Sequence, residues 1–323
     1  MPQCSPRDCG ESLPDMTLKT LPAVVLALSL ALTGCTAGTA STPSASASTS
    51  AAAPEVDRNP RGELPTITFD SKGIPTMTQV ASDPPAVISV KTLTAGTGAV
   101  VAAGDYVKVN YAGFLWSNGT QFDSSYDSGK SASFALSQVV DGWKYGLAGT
   151  KVGDRVQLIV PPDYGYGNEE KDSIPAGSTL VFVVDILGTT TVTTEALAAA
   201  TPTQATLPAG ITVTGELGHE PTLTIAADAA KPTEQQVIVL AEGNGATVTK
   251  TDSLLYHIVA GAWGGTTSSS WSSSYQEIDS GGGAVTVGKK VGSRLLLVYP
   301  ADEANQTAAQ AYVIDILATI PAA

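Results

Sequence analysis

The residue types able to do chemistry are few in this chain. Two His and three Cys among 323 residues argue against a zinc site or a disulfide framework. His219 and His257 stand alone in the sequence and read as structural or exposed. Glu169 and Glu170 have the composition of a paired-carboxylate site. Adjacent acids in a polar run are read here as solvated charge instead. What remains is mainly aromatic: Tyr111, Phe122, Trp143, Tyr164, Tyr166 and Phe182. Tyr164 and Tyr166 flank Gly165, and exposed aromatics on a glycine-flexed loop favour binding. Tyr111 and Phe182 lie in strand-like runs, where aromatics are usually core. Asp123 precedes two serines and alone reads as a turn acid. The set suits an apolar binding site and suits hydrolysis or metal chemistry poorly.

The elements that position these residues read mostly as strands. Val87–Leu93, Tyr106–Trp116, Arg155–Val160 and Thr179–Leu187 are rich in Val, Ile and aromatics, and Ser117-Asn118-Gly119 makes a turn. Val139, Val140, Trp143 and Leu147 have helical spacing. The expectation is an α+β arrangement in which one short helix crosses a curved antiparallel sheet and encloses a pocket. The formal net charge is −13. That balance argues against nucleic acid, which needs clustered Lys and Arg.

The pattern occurs twice. Leu93–Val100 resembles Leu240–Thr247, Lys151–Leu158 resembles Lys290–Leu297, and Val183–Leu187 resembles Val313–Leu317. The lead-ins Pro65-Thr66-Ile67-Thr68 and Pro221-Thr222-Leu223-Thr224 are matched as well. A period near 150 residues is a duplication of whole domains rather than a solenoid. The expected units are 61–190, with its core at 86–189, and 203–320, joined around Thr190–Thr203.

Five blocks, in order, resemble an FKBP-type peptidyl-prolyl isomerase over Ala86–Thr189. They are Asn110-Tyr111-Ala112-Gly113, Gln121-Phe122-Asp123-Ser124-Ser125, Val139-Val140-Asp141-Gly142-Trp143, Pro162-Asp163-Tyr164-Gly165-Tyr166-Gly167 and Ile174–Phe182. The resemblance implies two FKBP-like domains, the second degenerate, and catalysis without cofactor or metal. Peptide-bond rotation faces a barrier of about 18–20 kcal/mol because resonance keeps the amide planar. A twisted amide is less polar, so an apolar, water-excluding pocket favours it over the ground state. By resemblance, Trp143 forms the pocket floor, Tyr111, Phe122 and Phe182 its walls, and Val139, Val140 and Ile174 the remaining lining. Tyr166 would donate its hydroxyl to a substrate carbonyl, the Val140 N–H would be a second donor, and Asp123 would bond the Tyr111 hydroxyl at the rim. Proline-containing protein substrates and macrolides of the rapamycin class are the implied partners. The rival reading is a non-enzymatic chaperone or binding module using the same groove.

Two departures thin the expected rim. Ser173 stands where the family often has an apolar residue, and Ala132 where many members carry an aromatic. The second copy departs further. Ile258 replaces Tyr111, the Phe122–Tyr126 block is matched to Trp271–Tyr275, and Ser280-Gly281-Gly282-Gly283 replaces the Gly-Trp helix pair.

The N-terminus reads as an address. Lys19 precedes an apolar run, Leu21–Ala31, too short to span a bilayer. Leu32-Thr33-Gly34-Cys35 resembles the bacterial lipobox, whose Cys is lipidated. The expected plan is a lipoprotein signal at 1–34, lipidated Cys35 as a membrane anchor, and a flexible Ala/Ser/Thr-rich stalk at 35–60. The folded part would then sit outside the cytoplasmic membrane, on its outer face.

Overall fold

The structure, a computed structural model, describes residues 53–321 apart from 274, 279–284 and 305. The expected signal segment, Cys35, most of the stalk and the Ser280–Gly283 run lie outside the described residues. Ala53–Ala323 form a compact unit. No helix among the described residues is long and apolar enough to cross a membrane.

The first half contains β1 (Val56–Asp57), β2 (Thr66–Phe69), β3 (Pro75–Thr78), β4 (Ile88–Thr94), β5 (Tyr106–Leu115), β6 (Gln121–Ser124), β7 (Ala132–Ala135), α1 (Asp141–Leu147), β8 (Arg155–Val160) and β9 (Leu180–Thr190). A short connector carries α2 (Glu195–Ala198) and β10 (Thr201–Pro202). The second half follows with β11 (Ile211–Thr214), β12 (Thr222–Ile225), β13 (Gln236–Glu242), β14 (Ser253–Ala262), β15 (Thr267–Ser269), β16 (Gln276–Ile278), β17 (Arg294–Tyr299) and β18 (Gln310–Ile320). One seven-stranded sheet runs β1-β4-β8-β9-β5-β6 with β7 on β5. The other runs β10-β13-β17-β18-β14-β15 with β16 on β14. The two orders correspond except at one edge, where β1 joins β4 in parallel and β10 joins β13 antiparallel.

Three expectations need correction. The chain is mostly strand, with α-helices of seven and four residues among those described, so α+β overstates its helix. The first sheet is mixed rather than antiparallel, because β1 joins β4 in parallel. That pairing also places Val56–Asp57 in the sheet, so the folded unit begins before residue 60.

Alternation along the central strands sorts two cores, as a period of two requires. Val107, Val109, Val156, Leu158, Leu180, Phe182 and Val184 face α1. Ala112, Phe114, Ile159, Val181 and Val183 face the other way. There the β2–β3 hairpin covers them with Ile67 and Met77. The second half repeats the device, with the β11–β12 hairpin applying Val213 and Leu223 to Val259, Leu296 and Val313. The hairpins also correct the matched lead-ins. Pro65–Thr68 leads into the first strand of its hairpin, whereas Pro221–Thr224 enters the second. Its true counterpart is Pro75-Thr76-Met77-Thr78.

Helix α1 lies close against the sheet. A Cβ on Gly142 would stand 2.3 Å from Val160 Cγ1, and one on Gly146 2.5 Å from Leu158 Cδ1. These two glycines let the helix approach and press Trp143 into the core. At its far end the Arg58 guanidinium donates to the carbonyls of Tyr145 (3.1 Å), Gly146 (3.2 Å) and Ala148. It thereby satisfies acceptors that a helix C-terminus leaves open.

The halves touch through few groups. Leu255, Ala318 and Ile320 pack with Tyr106 and Val192. Lys108 Nζ donates to Ser253 Oγ at 2.7 Å. Glu277 accepts from Ser133 Oγ at 3.0 Å and from the Tyr106 hydroxyl at 3.3 Å.

Candidate functional site

The site forms where α1 crosses the concave face of the first sheet. Trp143 is 5% exposed. Three rings meet its indole edge-on: Tyr111 at 5.4 Å and 88°, Phe182 at 5.3 Å and 89°, and Phe134 at 5.3 Å and 74°. Tyr111 and Phe134 also meet at 5.7 Å, and Phe122 meets Phe182 at 5.6 Å and 89°. Edge-on pairs set the positive ring edge against a negative π face, worth about 0.5–1.5 kcal/mol each beyond burial. The five rings fix one another's orientation, so the surface they offer is shaped before any ligand arrives.

Backbone register explains the convergence. Tyr111 on β5 lies opposite Val184 on β9, and Phe182 lies opposite Gly113. A Cβ on Gly113 would stand 2.5 Å from the Phe122 ring and 3.0 Å from the Phe182 ring. Glycine there makes room for both rings on the concave face. Bulges at Lys108/Val109 and Gly113/Phe114 bend β5 around the helix.

Phe134 is the residue that sequence reasoning missed. Ala132 was expected to leave the rim thin, yet Phe134 stands two residues on, and therefore on the same face of β7. Its register partner is Val107. The alternation Ala132-Ser133-Phe134 held the signal, one strand period beyond Ala132.

The polar edge of the site is equally defined. The Tyr111 hydroxyl donates to Asp123 Oδ2 at 2.5 Å. Burial, and after it this bond, holds the Tyr111 phenol well above its ordinary value. Tyr126 is raised in the same way by burial and by its 2.8 Å bond to Asp185 Oδ2. A raised phenol favours the neutral form in the fold. Its stabilisation is complete below about pH 10, the unfolded value, and is lost as pH rises toward the folded one. Alkaline titration of phenolate absorbance should therefore show these two tyrosines ionising only as the protein unfolds. Tyr111→Phe should remove one of them. Ionisation of Tyr111 at the free-phenol value in folded protein would contradict the geometry.

Tyr166 projects from the loop after β8 and is 38% exposed, while Tyr164 packs on the core. The Pro162 carbonyl accepts from both Gly165 and Gly167 at 2.9 Å. Gly167 has φ +61°, a conformation that favours glycine. Ile174, 5% exposed, is turned inward by paired backbone bonds with Lys171 at 2.8 and 3.0 Å. Val139 and Val140 pack on the same core. The Val140 carbonyl accepts from the Trp143 and Lys144 amides. Two hollows, of about 430 Å³ between β12, β14 and β15 and about 270 Å³ beside Arg294, contain none of the five rings.

The second sheet keeps the frame and replaces the site. Ser270 Oγ accepts from the Ile258 amide as Ser125 Oγ does from the Tyr111 amide. This equates Ser270 with Ser125 and Trp271 with Tyr126, four positions away from the match expected between Trp271 and Phe122. The strand register then sets Ser268 where Asp123 stands and Tyr312 where Phe182 stands. Trp271 stacks on His257 at 4.4 Å and 22°.

Residues 98–187 match the family model described as FKBP-type peptidyl-prolyl cis-trans isomerase. A probable FK506-binding protein of Corynebacterium glutamicum is 39% identical over 98 residues, covering 30% of this chain and 83% of that one. An FK506-binding protein of Streptomyces anulatus is 39% identical over 109 residues, covering 32% and 88%. The crystal structure of FkpA from Escherichia coli is 34% identical, covers 39% of this chain and 52% of its own, and superposes with a TM-score of 0.31. With two relatives matched over most of their length, the chain belongs to the FKBP-type peptidyl-prolyl cis-trans isomerases.

Proposed function

We propose that this isomerase acts on X–Pro bonds of secreted or cell-envelope proteins and binds the twisted amide against the Trp143 cluster. The observation that carries the reading is the preformed apolar surface made by Tyr111, Phe122, Phe134, Trp143 and Phe182. Tyr166, exposed on the facing loop, supplies a hydroxyl within the mouth, and Asp123 at the rim orients the Tyr111 hydroxyl. The Val140 amide donates to no acceptor among the described residues, which suits a second donor to the substrate. Val139 and Ile174 complete the lining. The site residues are thus Tyr111, Phe122, Asp123, Val139, Val140, Trp143, Tyr166, Ile174 and Phe182, with Phe134 added. The surface also suits macrolides of the rapamycin class.

The setting rests on sequence. Residues 1–34 act as a lipoprotein signal, Cys35 carries the lipid, and an Ala/Ser/Thr-rich stalk lifts the folded unit outside the membrane. The second half is a degenerate FKBP-like domain. It lacks the Tyr111 and Asp123 side chains at the equivalent positions, and so it is inactive.

The full chain in detergent or vesicles should accelerate cis-to-trans conversion of a prolyl tetrapeptide, a step that takes tens of seconds or more unaided. A rapamycin-class macrolide should abolish the acceleration. Absent turnover with retained binding of unfolded protein would replace this reading with the holding module.

A further inference from the structure

We infer that Glu277, on the second sheet, is a positioning residue for the site on the first. The inference rests on the site reading above. β7 is a short strand with one neighbour: four residues long, it pairs only with β5. It nevertheless carries Phe134, which meets both Trp143 and Tyr111. Neighbouring side chains on a strand point to opposite faces, so Ser133 points away from the cluster that Phe134 enters. The group waiting there is Glu277. One carboxylate oxygen accepts from Ser133 Oγ at 3.0 Å, and the other accepts from the Tyr106 hydroxyl at 3.3 Å.

The two anchors lie on different strands. Tyr106 is on β5 opposite Ala135, and Ser133 is on β7 opposite Lys108. A single carboxylate therefore clamps β7 to β5 from outside, across the register that sets Phe134 against the indole. Lys108 donates to Ser253 from the same stretch of β5, which fixes the distance between the halves at which the clamp closes. Glu277 is itself held, on β16 opposite Leu255 of β14. Leu255 packs with Ala318, Ile320 and Tyr106 in the small apolar contact between the halves. The second half thus has a task that needs no pocket of its own: it holds the fifth ring of the active cluster in place.

The test uses the full chain. Glu277→Ala should lower kcat/KM for a prolyl peptide by about two- to thirtyfold, the range that coupling energies of about 0.5–2 kcal/mol allow. The loss should fall on KM, because a displaced Phe134 weakens binding before it alters the twist. Glu277→Gln keeps an acceptor for Ser133 and should restore at least half of the lost activity. Ser133→Ala should reproduce the defect, and the double variant should add nothing to it. Amide exchange at Ala132–Ala135 should quicken in Glu277→Ala and recover in Glu277→Gln. A lower melting temperature with KM unchanged at the assay temperature would overturn the inference, as would additive Ser133 and Glu277 effects. If the unaltered chain shows no turnover, the functional reading fails instead. Peptide affinity and amide exchange then decide the clamp, and no difference from the unaltered chain in either would refute it.

Discussion

Trp143→Ala should be among the most damaging single changes in the first half, in stability and in catalysis together. The indole is 5% exposed and meets three rings edge-on. Truncation loses its burial and leaves a cavity that Tyr111, Phe134 and Phe182 are too constrained to fill. Large-to-small changes of this kind cost about 3–5 kcal/mol, a large share of the 5–15 kcal/mol that ordinarily holds a domain folded. Under the proposed function a catalytic loss arises separately, because the twisted amide would be favoured by the apolar surface it meets. Losing about 2 kcal/mol of that preference slows turnover roughly thirtyfold. Chemical denaturation gives the first quantity, and a prolyl-peptide assay well below the melting transition gives the second. Trp143→Phe separates them: it keeps an aromatic floor and should retain most of the fold while losing part of the rate. Full kcat/KM in folded Trp143→Ala would show that substrate does not rest on this ring.

Much of this site is legible in the sequence because strand alternation and glycine placement are local. Tyr111 and Phe182 lie on alternating runs whose register follows from which face is buried. Gly142 before Trp143 marks a helix that must come close to a sheet. Phe134 escaped because its strand is only four residues long and held by one neighbour, too short for alternation to stand out. The repeat was legible in its strands and misaligned in its loops. Lys151–Leu158 and Lys290–Leu297 are central strands with fixed pairing, so residue types there persist. The β5–β6 and β14–β15 turns differ in length, and the similar Trp-Ser-Ser-Ser-Tyr string drew the match four residues out of place. The same cause moved Pro221–Thr224 onto Pro65–Thr68, since the strand entered by Pro75–Thr78 carries almost the same residues. The clamp at Glu277 was not legible at all. It depends on how two sheets meet, and that information is spread over both halves.

Arg294→Met should unfold the second half far more readily than Arg155→Met unfolds the first, although both remove the same ion pair. Arg294 and Asp315 are 3% and 0% exposed at their side chains, whereas Arg155 and Asp185 are 26% and 16% exposed. Removing Arg294 leaves a carboxylate with no water and no cation, and breaking such a buried pair costs about 3–5 kcal/mol. It also strips the donors that hold the β11–β12 turn, where Arg294 reaches the carbonyls of Glu216 (3.5 Å) and His219 (2.7 Å). Asp185 would keep solvent and the Tyr126 hydroxyl, so its loss should be about 1–2 kcal/mol. The pH dependence identifies the cause. Burial already raises the Asp315 carboxyl, and Arg294 opposes that rise. Without Arg294 it climbs further, so the variant is most stable where the acid is protonated and loses stability as pH rises through the raised value. The deficit against the unaltered protein should therefore shrink in acid and widen toward neutrality. Replacing both partners, as Arg294→Met with Asp315→Leu, should recover most of the loss by leaving no buried charge. A deficit independent of pH, or a double variant no better than the single one, would mean that the lost turn contacts outweigh the stranded carboxylate.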